Sequence, residues 1–205
     1  MNWISFKNEF SRFWCFDTNQ VYACYPDFDR NNLVRWTKNG YLVRLRKSMY
    51  AFAECQSRDG AATYFAGRMH KPSYVSLHTA LSFYGMIPEA VLQVTSVTSL
   101  KTASFKNAFG EFSYKSVRED MMFGYEPKEA GDGLFVQYAT PEKALVDLLY
   151  LYPSYNTKNE IMELRLDEGF LHTGLDASRL DKFILRAHSS ALEKSFGILR
   201  KAYRL

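Results

Sequence analysis

The stretch DRNNLVRWTKNGYLVRLRKSMYAF, residues 29–52, decides how the N-terminal part of this chain folds. Asp29 can cap a helix that runs to about Asn39, and Gly40 stands where a helix C-terminus favours glycine. At 100° per residue, Asn31, Asn32, Arg35, Lys38 and Asn39 fall on one arc, with Leu33, Val34, Trp36 and Thr37 opposite. Next comes a period-two segment in which Tyr41, Val43 and Leu45 alternate with Leu42, Arg44 and Arg46. Residues 46–49 (Arg-Lys-Ser-Met) then make a turn, and residues 50–53 return as a second strand. The pattern predicts a helix followed by a hairpin with a basic tip.

Working outward, Ile4, Phe6, Phe10, Phe13 and Trp14 share one side of a first helix. Asp17 or Thr18 can cap a second, which ends before Pro26. Three short helices and a hairpin are the order of a winged helix-turn-helix. In that arrangement the outward arc of the third helix suits a major groove. Arginine reads guanine there and asparagine reads adenine, while cations on the wing grip phosphates. The residues expected to contact DNA are therefore Asn31, Asn32, Arg35, Lys38, Asn39, Arg44, Arg46 and Lys47. A surface helix with a polar face is the bland alternative for the third helix alone; the basic hairpin behind it favours DNA.

The charge distribution points the same way. Residues 29–47 carry six basic residues and one acid, as do residues 182–205, while the whole 205-residue chain has a net charge of only +4. A basic stripe on an otherwise slightly acidic chain is the electrostatic footprint of a nucleic-acid contact. The hydrophobic content of 47% argues for a folded chain. No apolar run approaches the roughly 18 residues of a membrane helix, and the N-terminus lacks the continuous apolar region of a signal peptide. Three separated cysteines (Cys15, Cys24, Cys55) suit a reducing cytoplasm, so a cytoplasmic protein without membrane contact is expected.

Beyond a polar link at residues 55–61, where a domain boundary is expected, the pattern changes. A helix is expected over residues 62–70, halted by Lys71-Pro72, and another from Ser76 to Gly85 with Leu77, Ala80, Leu81 and Tyr84 buried. Strands are expected over residues 91–100, near 104–105, over 111–117, over 122–126 and over 134–138. Gly131-Asp132-Gly133 turns the chain between the last two. Thr140-Pro141-Glu142 starts a core helix running to Leu151. From about Thr157 the chain reads as helical, and Leu192, Phe196, Leu199 and Tyr203 form the buried stripe of the last helix. Its basic face reads as solvated rather than as a second DNA contact. The expected organisation is α+β: a winged helix-turn-helix in residues 1–55, then a larger mixed α/β domain in residues 62–205 that ends in a helical segment.

Catalytic signals are thin. His70, His78, His172 and His188 lack the spacing of a helical zinc site, and no Cys-x-x-Cys is present. There is no phosphate-cradling glycine loop and no nucleophile elbow. Asp120 with Glu126-Pro127-Lys128 resembles a metal-dependent nuclease set, but its carboxylates are only six residues apart and Glu126-Pro127-Lys128 reads as the opening of a loop. Neither an enzyme nor a cofactor or metal site is expected.

Four blocks in order, LVRLRKSMYAF (42–52), KPSYVSLHTALSFYGMIPEAVLQVTSVT (71–98), FGEFSYKSV (109–117) and YATPEKALVDLLYL (138–151), resemble the AbiEi-type antitoxins of type IV toxin–antitoxin systems. The resemblance implies a winged-helix domain that binds double-stranded DNA at its own operator and represses its own operon. It also implies a C-terminal domain that neutralises a cognate toxin with a nucleotidyltransferase fold, directly or indirectly. One departure stands in the wing turn, where Ser48 replaces an expected glycine; if that position needs positive φ, serine is strained there. The competing reading is a winged-helix regulator without a toxin, whose second domain senses a ligand or dimerises.

Overall fold

A computed structural model describes residues 1–89 and 91–205. The chain is mixed α+β, and its first fifty residues follow the order α1 (Trp3–Phe10), β1 (Cys15–Asp17), α2 (Thr18–Cys24), α3 (Asn31–Lys38), β2 (Leu42–Arg46), β3 (Met49–Phe52), with a 3₁₀ turn at Ser11–Phe13. The strands form an antiparallel sheet in the order β1-β3-β2. Local signals set the helix ends. The Asp17 side chain accepts from the backbone of α2 while Gln20 reaches back to the Asp17 amide, a capping box. Asp29 accepts from the Asn31 amide at 2.9 Å. At the far end of α3, the amide of Tyr41 bonds the Trp36 carbonyl (2.9 Å) and that of Gly40 bonds the Thr37 carbonyl (3.1 Å). This Schellman turn needs the positive φ of Gly40 and sends the chain straight into β2.

An aromatic core holds these elements together. Phe6 lies within 4.7 Å, centroid to centroid, of both Phe10 and Trp36, and within 5.0 Å of Phe16. Ile4, expected on this side, instead faces outward at 70% exposure, because α1 is short and Trp3, Phe6 and Phe10 already fill its inner face. The strict alternation expected in β2 is also broken. Its pairing with β3 shifts between Arg44 and Arg46, so Leu42 and Leu45, three apart, both point inward. A bulge adds one residue to one strand and so resets the two-residue phase.

The remainder comprises α4 (Ala61–Met69), β4 (Ser73–Val75), α5 (Leu77–Phe83), β5 (Gln93–Thr98), β6 (Ala103–Asn107), β7 (Gly110–Ser116), β8 (Tyr125–Gly131), β9 (Leu134–Ala139), α6 (Pro141–Leu151), α7 (Lys158–Glu163), α8 (Glu168–Thr173), α9 (Ala177–Arg186) and α10 (Ser190–Tyr203). Its six-stranded sheet has the order β6-β7-β5-β4-β9-β8, parallel at β5–β7 and β4–β9 and antiparallel elsewhere. Asp132 and Gly133, with φ of 52° and 70°, join β8 to β9 in a two-residue turn of the type that matches strand twist. Two expectations are corrected here. The strand expected over 122–126 begins only at Tyr125, and Glu126-Pro127-Lys128 lies within β8 rather than opening a loop. The ladder to β9 carries the chain through Pro127 because β8 is an edge strand, where a missing amide is tolerated. Thr140 caps α6, and Leu192, Phe196, Leu199 and Tyr203 of α10 are buried as their spacing requires.

Side-chain contacts cross the boundary expected at residues 55–61. Helix α4 gives Tyr64, Phe65, Ala66 and Met69 to the N-terminal core, joined there by Phe112 and Tyr114 of β7. Tyr114 Oη donates to the Ala66 carbonyl (2.8 Å), and Asn107 Nδ2 to the Leu45 carbonyl (3.1 Å). Trp14 Nε1 donates to Asp132 Oδ2 (3.0 Å), and Arg58 pairs with the same carboxylate. Gly60 sits so close to Ala130 that a Cβ would fall 2.5 Å from its carbonyl oxygen. Packed contacts therefore run along the seam between the two cores.

Candidate nucleic-acid interface

Helix α3 turns its apolar side into the aromatic core through Leu33 and Trp36, both buried. Trp36 meets Phe6, Phe28 and Trp3, which fixes the rotation of the helix. The outward surface then consists of Asn31, Val34, Arg35, Lys38 and Asn39. Two positions differ from the sequence reading. Asn32 is only 7% exposed, and Val34 is 64% exposed. The exposed arc is therefore rotated by roughly 30°, well under one residue spacing, from the arc of purely polar residues. The cause is packing: the core contacts of Trp36 draw its neighbour on the helical wheel, Asn32, inward.

Asn32 keeps a role all the same. Its Oδ1 accepts from Arg35 Nη2 at 2.6 Å, which holds the guanidinium against the helix surface. Arg35 is exposed and Asn32 is the residue that orients it. The hairpin adds Arg44 and Lys47, both exposed, while Ser48 forms the turn with φ of 63°. Ser48 thus takes the left-handed backbone in place of glycine, and its carbonyl accepts from the Thr18 amide (2.9 Å), tying the turn to the start of α2. Arg46 behaves differently from its expected place on an open wing. It is half-buried, and its Nε is enclosed without a hydrogen-bond partner, because β2 packs along β6 of the second sheet.

The electrostatics of this face are one-sided. Among the described residues, Arg30, Arg35, Lys38, Arg44, Arg46 and Lys47 form no ion pair with any carboxylate. Six unpaired cations on adjoining elements give a local positive potential that favours a polyanion. The corresponding C-terminal run is less free, since Arg200 pairs with Asp181 and Arg186 lies 4.1 Å over the Phe123 ring.

The other candidate residues do not converge. Asp120 pairs with Arg118 at 3.3 Å, whereas Glu126 pairs with Lys128 at 2.6 Å on β8. Among the described residues no three His, Cys, Asp or Glu side chains gather as a metal site would need, and no helix is long and apolar enough to cross a membrane.

Sequence reasoning missed a polar cluster inside α6. Lys143 and Asp147 are fully buried and paired. Asp147 Oδ2 also accepts from Tyr74 Oη (2.9 Å) and Ser76 Oγ (2.7 Å), and the Lys143 ammonium lies 4.7 Å from the Phe123 ring centre. Burial pushes the lysine down and the aspartate up from their usual ranges, and each opposes the other's shift. The four-residue spacing of Lys143 and Asp147 was the available signal, but that spacing is common on exposed faces. No family model matches this chain, and no curated protein matches it.

Proposed function

We propose that this chain is a DNA-binding antitoxin. In this reading residues 1–55 form a winged helix-turn-helix that represses the chain's own operon, and the larger α/β part neutralises a cognate toxin with a nucleotidyltransferase fold in the cytoplasm. The observation that carries the DNA part is the outward face of α3: exposed Arg35, Lys38 and Asn39, free of ion pairs, on a helix that a Schellman turn joins to a hairpin bearing Arg44 and Lys47. The α-β-α-α-β-β order supports it, since a winged helix places its last helix before the hairpin in this way.

In this reading Arg35, aimed by Asn32, reaches a guanine edge. Asn39 reads adenine, and exposed Val34 contacts a thymine methyl, the apolar group of the major groove. Arg44 and Lys47 hold phosphates and set register without reading sequence. The toxin part rests on the sequence resemblance to AbiEi-type antitoxins. Fluorescence anisotropy with a duplex from the chain's own promoter and a scrambled duplex tests the first part. Equal affinity for both at every salt concentration overturns specific repression. Co-expression with an adjacent nucleotidyltransferase-like gene, scored for rescue of growth, tests the second.

A winged-helix regulator without a toxin is the other reading, with a ligand-sensing second domain. It is favoured by a cavity on the seam between the two cores, lined by α4 on one side and β9 on the other. An adjacent toxin-like reading frame separates the two.

A further inference from the structure

The seam cavity has a volume of about 710 Å³, a size that encloses small organic molecules. Its walls come from α4, the α4–β4 loop with Ser73 of β4, Met122, Tyr125 at the start of β8, and the β8–β9 turn with β9. Two cations line it, Arg68 and Lys71, and no carboxylate does. Among the described residues neither forms an ion pair. Arg68 Nε is buried with no hydrogen-bond partner, and so is Ser73 Oγ on the same wall. Buried polar atoms are nearly always satisfied, whereas Arg68 as a whole is half-buried and Lys71 is exposed, so both cations remain open to a ligand.

The buried thiol that interacts with Arg68 supplies no counter-charge. Cys15 lies beside Arg68, but burial pushes its thiol up to about 12, so it stays neutral. Lys71 is held below the usual lysine range, first by desolvation and then by the charge of Arg68. Two like charges at one cavity with no counter-ion describe a site completed by an anion. The remaining wall is aromatic: Tyr125 is 39% exposed and stacked on Tyr74 at 4.7 Å, and Phe135 is 57% exposed. Flat apolar surface beside unpaired cations suits a ligand with a ring at one end and an anionic group at the other.

We propose that this cavity binds a nucleoside phosphate, with Arg68, Lys71 and Ser73 holding the phosphate and Tyr125 and Phe135 contacting the base. Because α4 belongs to the N-terminal core and β9 to the second sheet, the ligand would lie across the seam. Binding itself does not depend on the DNA reading.

Isothermal titration of the full chain with AMP, GMP, CMP and UMP tests the site, alongside the four unphosphorylated nucleosides and inorganic phosphate. At least one nucleotide is expected to bind at one site per chain, at least about tenfold more tightly than its nucleoside and than inorganic phosphate. Lys71→Gln, at an exposed position, is expected to weaken that binding about tenfold with the melting temperature unchanged. Arg68→Gln is expected to do the same, and if it fails to fold, Lys71→Gln and Tyr125→Ala decide. The proposal is overturned by absence of heat with every nucleotide up to about millimolar concentration. It is also overturned if nucleosides or inorganic phosphate bind as well as nucleotides, or if the Lys71 variant binds as tightly as the parent. DNA affinity is not read in this experiment, so its failure leaves the repressor reading standing.

Discussion

The indole of Trp14 donates to the Asp132 carboxylate at 3.0 Å across 118 residues of sequence. The same carboxylate pairs with Arg58, and Asp132 occupies a left-handed turn position with φ of 52°. One residue thus closes the β8–β9 hairpin and clasps it to the N-terminal core. Replacing it tests whether the seam is structural. Asp132→Ala loses the indole's acceptor and a turn preference, together about 2 kcal/mol. The Arg58 pair adds little, because both side chains are partly exposed. Asp132→Asn keeps an acceptor and tolerates the turn, so it should cost under about 1 kcal/mol. Urea unfolding should show one transition for the parent, since β7 of the second sheet gives Phe112 and Tyr114 to the N-terminal core. Two separate transitions in the parent would show that the parts fold independently.

The buried pair in α6 should be strongly non-additive. Asp147→Asn leaves the Lys143 ammonium enclosed without a charge partner, at a cost of about 3–5 kcal/mol. Lys143→Met strands the carboxylate, though Tyr74 and Ser76 still donate to it. The double variant Lys143→Met/Asp147→Asn removes both charges and keeps an acceptor for those hydroxyls. It should be more stable than Asp147→Asn alone, with a coupling above about 1 kcal/mol in a double-mutant cycle. Simple additivity would contradict the burial of the pair.

On the proposed DNA face, base and phosphate contacts should separate by their salt dependence. Arg35→Ala should weaken operator binding by about 1–3 kcal/mol and leave random DNA less affected. Asn32→Ala should follow it with a smaller loss, since Asn32 acts through Arg35. Arg44→Ala and Lys47→Ala should weaken both DNAs alike, each lowering the salt slope by about one. Anisotropy titrations at several salt concentrations check this, and an Arg35 variant that flattens the slope on both DNAs would refute base reading.

His78 is expected to make the fold sensitive to mild acid. Burial lowers its pKa from the usual 6.5, partly offset by Glu89, and the ring lies 6.1 Å from Tyr152. The unfolded chain therefore binds a proton more readily than the folded one just below pH 6.5. Stability from this group is complete above that value and falls as pH drops toward the lower, folded pKa. His78→Gln should flatten the difference in unfolding free energy between pH 6.5 and about 5.5 relative to the parent. An unchanged slope would exclude His78 as its source.

Much of the architecture was legible because its signals are local. The Asp17 cap, the Asp29 cap, the Gly40 terminus, the Thr140-Pro141 start and the Asp132-Gly133 turn are each settled by hydrogen bonds or dihedrals within a few residues. The stripe from Leu192 to Tyr203 is equally direct, because helical periodicity alone places those residues on one face. The basic composition of residues 29–47 required no structure at all.

What the tertiary structure decided depends on contacts between distant residues. The rotation of α3, which buries Asn32 and exposes Val34, is set by Trp36 packing against Phe6 and Phe28. The strand order, the bulge at Leu45 and the enclosure of Arg46 follow from how β2 meets β3 and β6. The allegiance of α4 to the N-terminal core depends on Phe112 and Tyr114, more than forty residues away. The buried charge of Lys143 is tolerable only because Asp147, Tyr74, Ser76 and Phe123 converge around one ion pair. Periodicity tells which residues share a face, but only the surrounding partners determine which face is inside and which charge is compensated there.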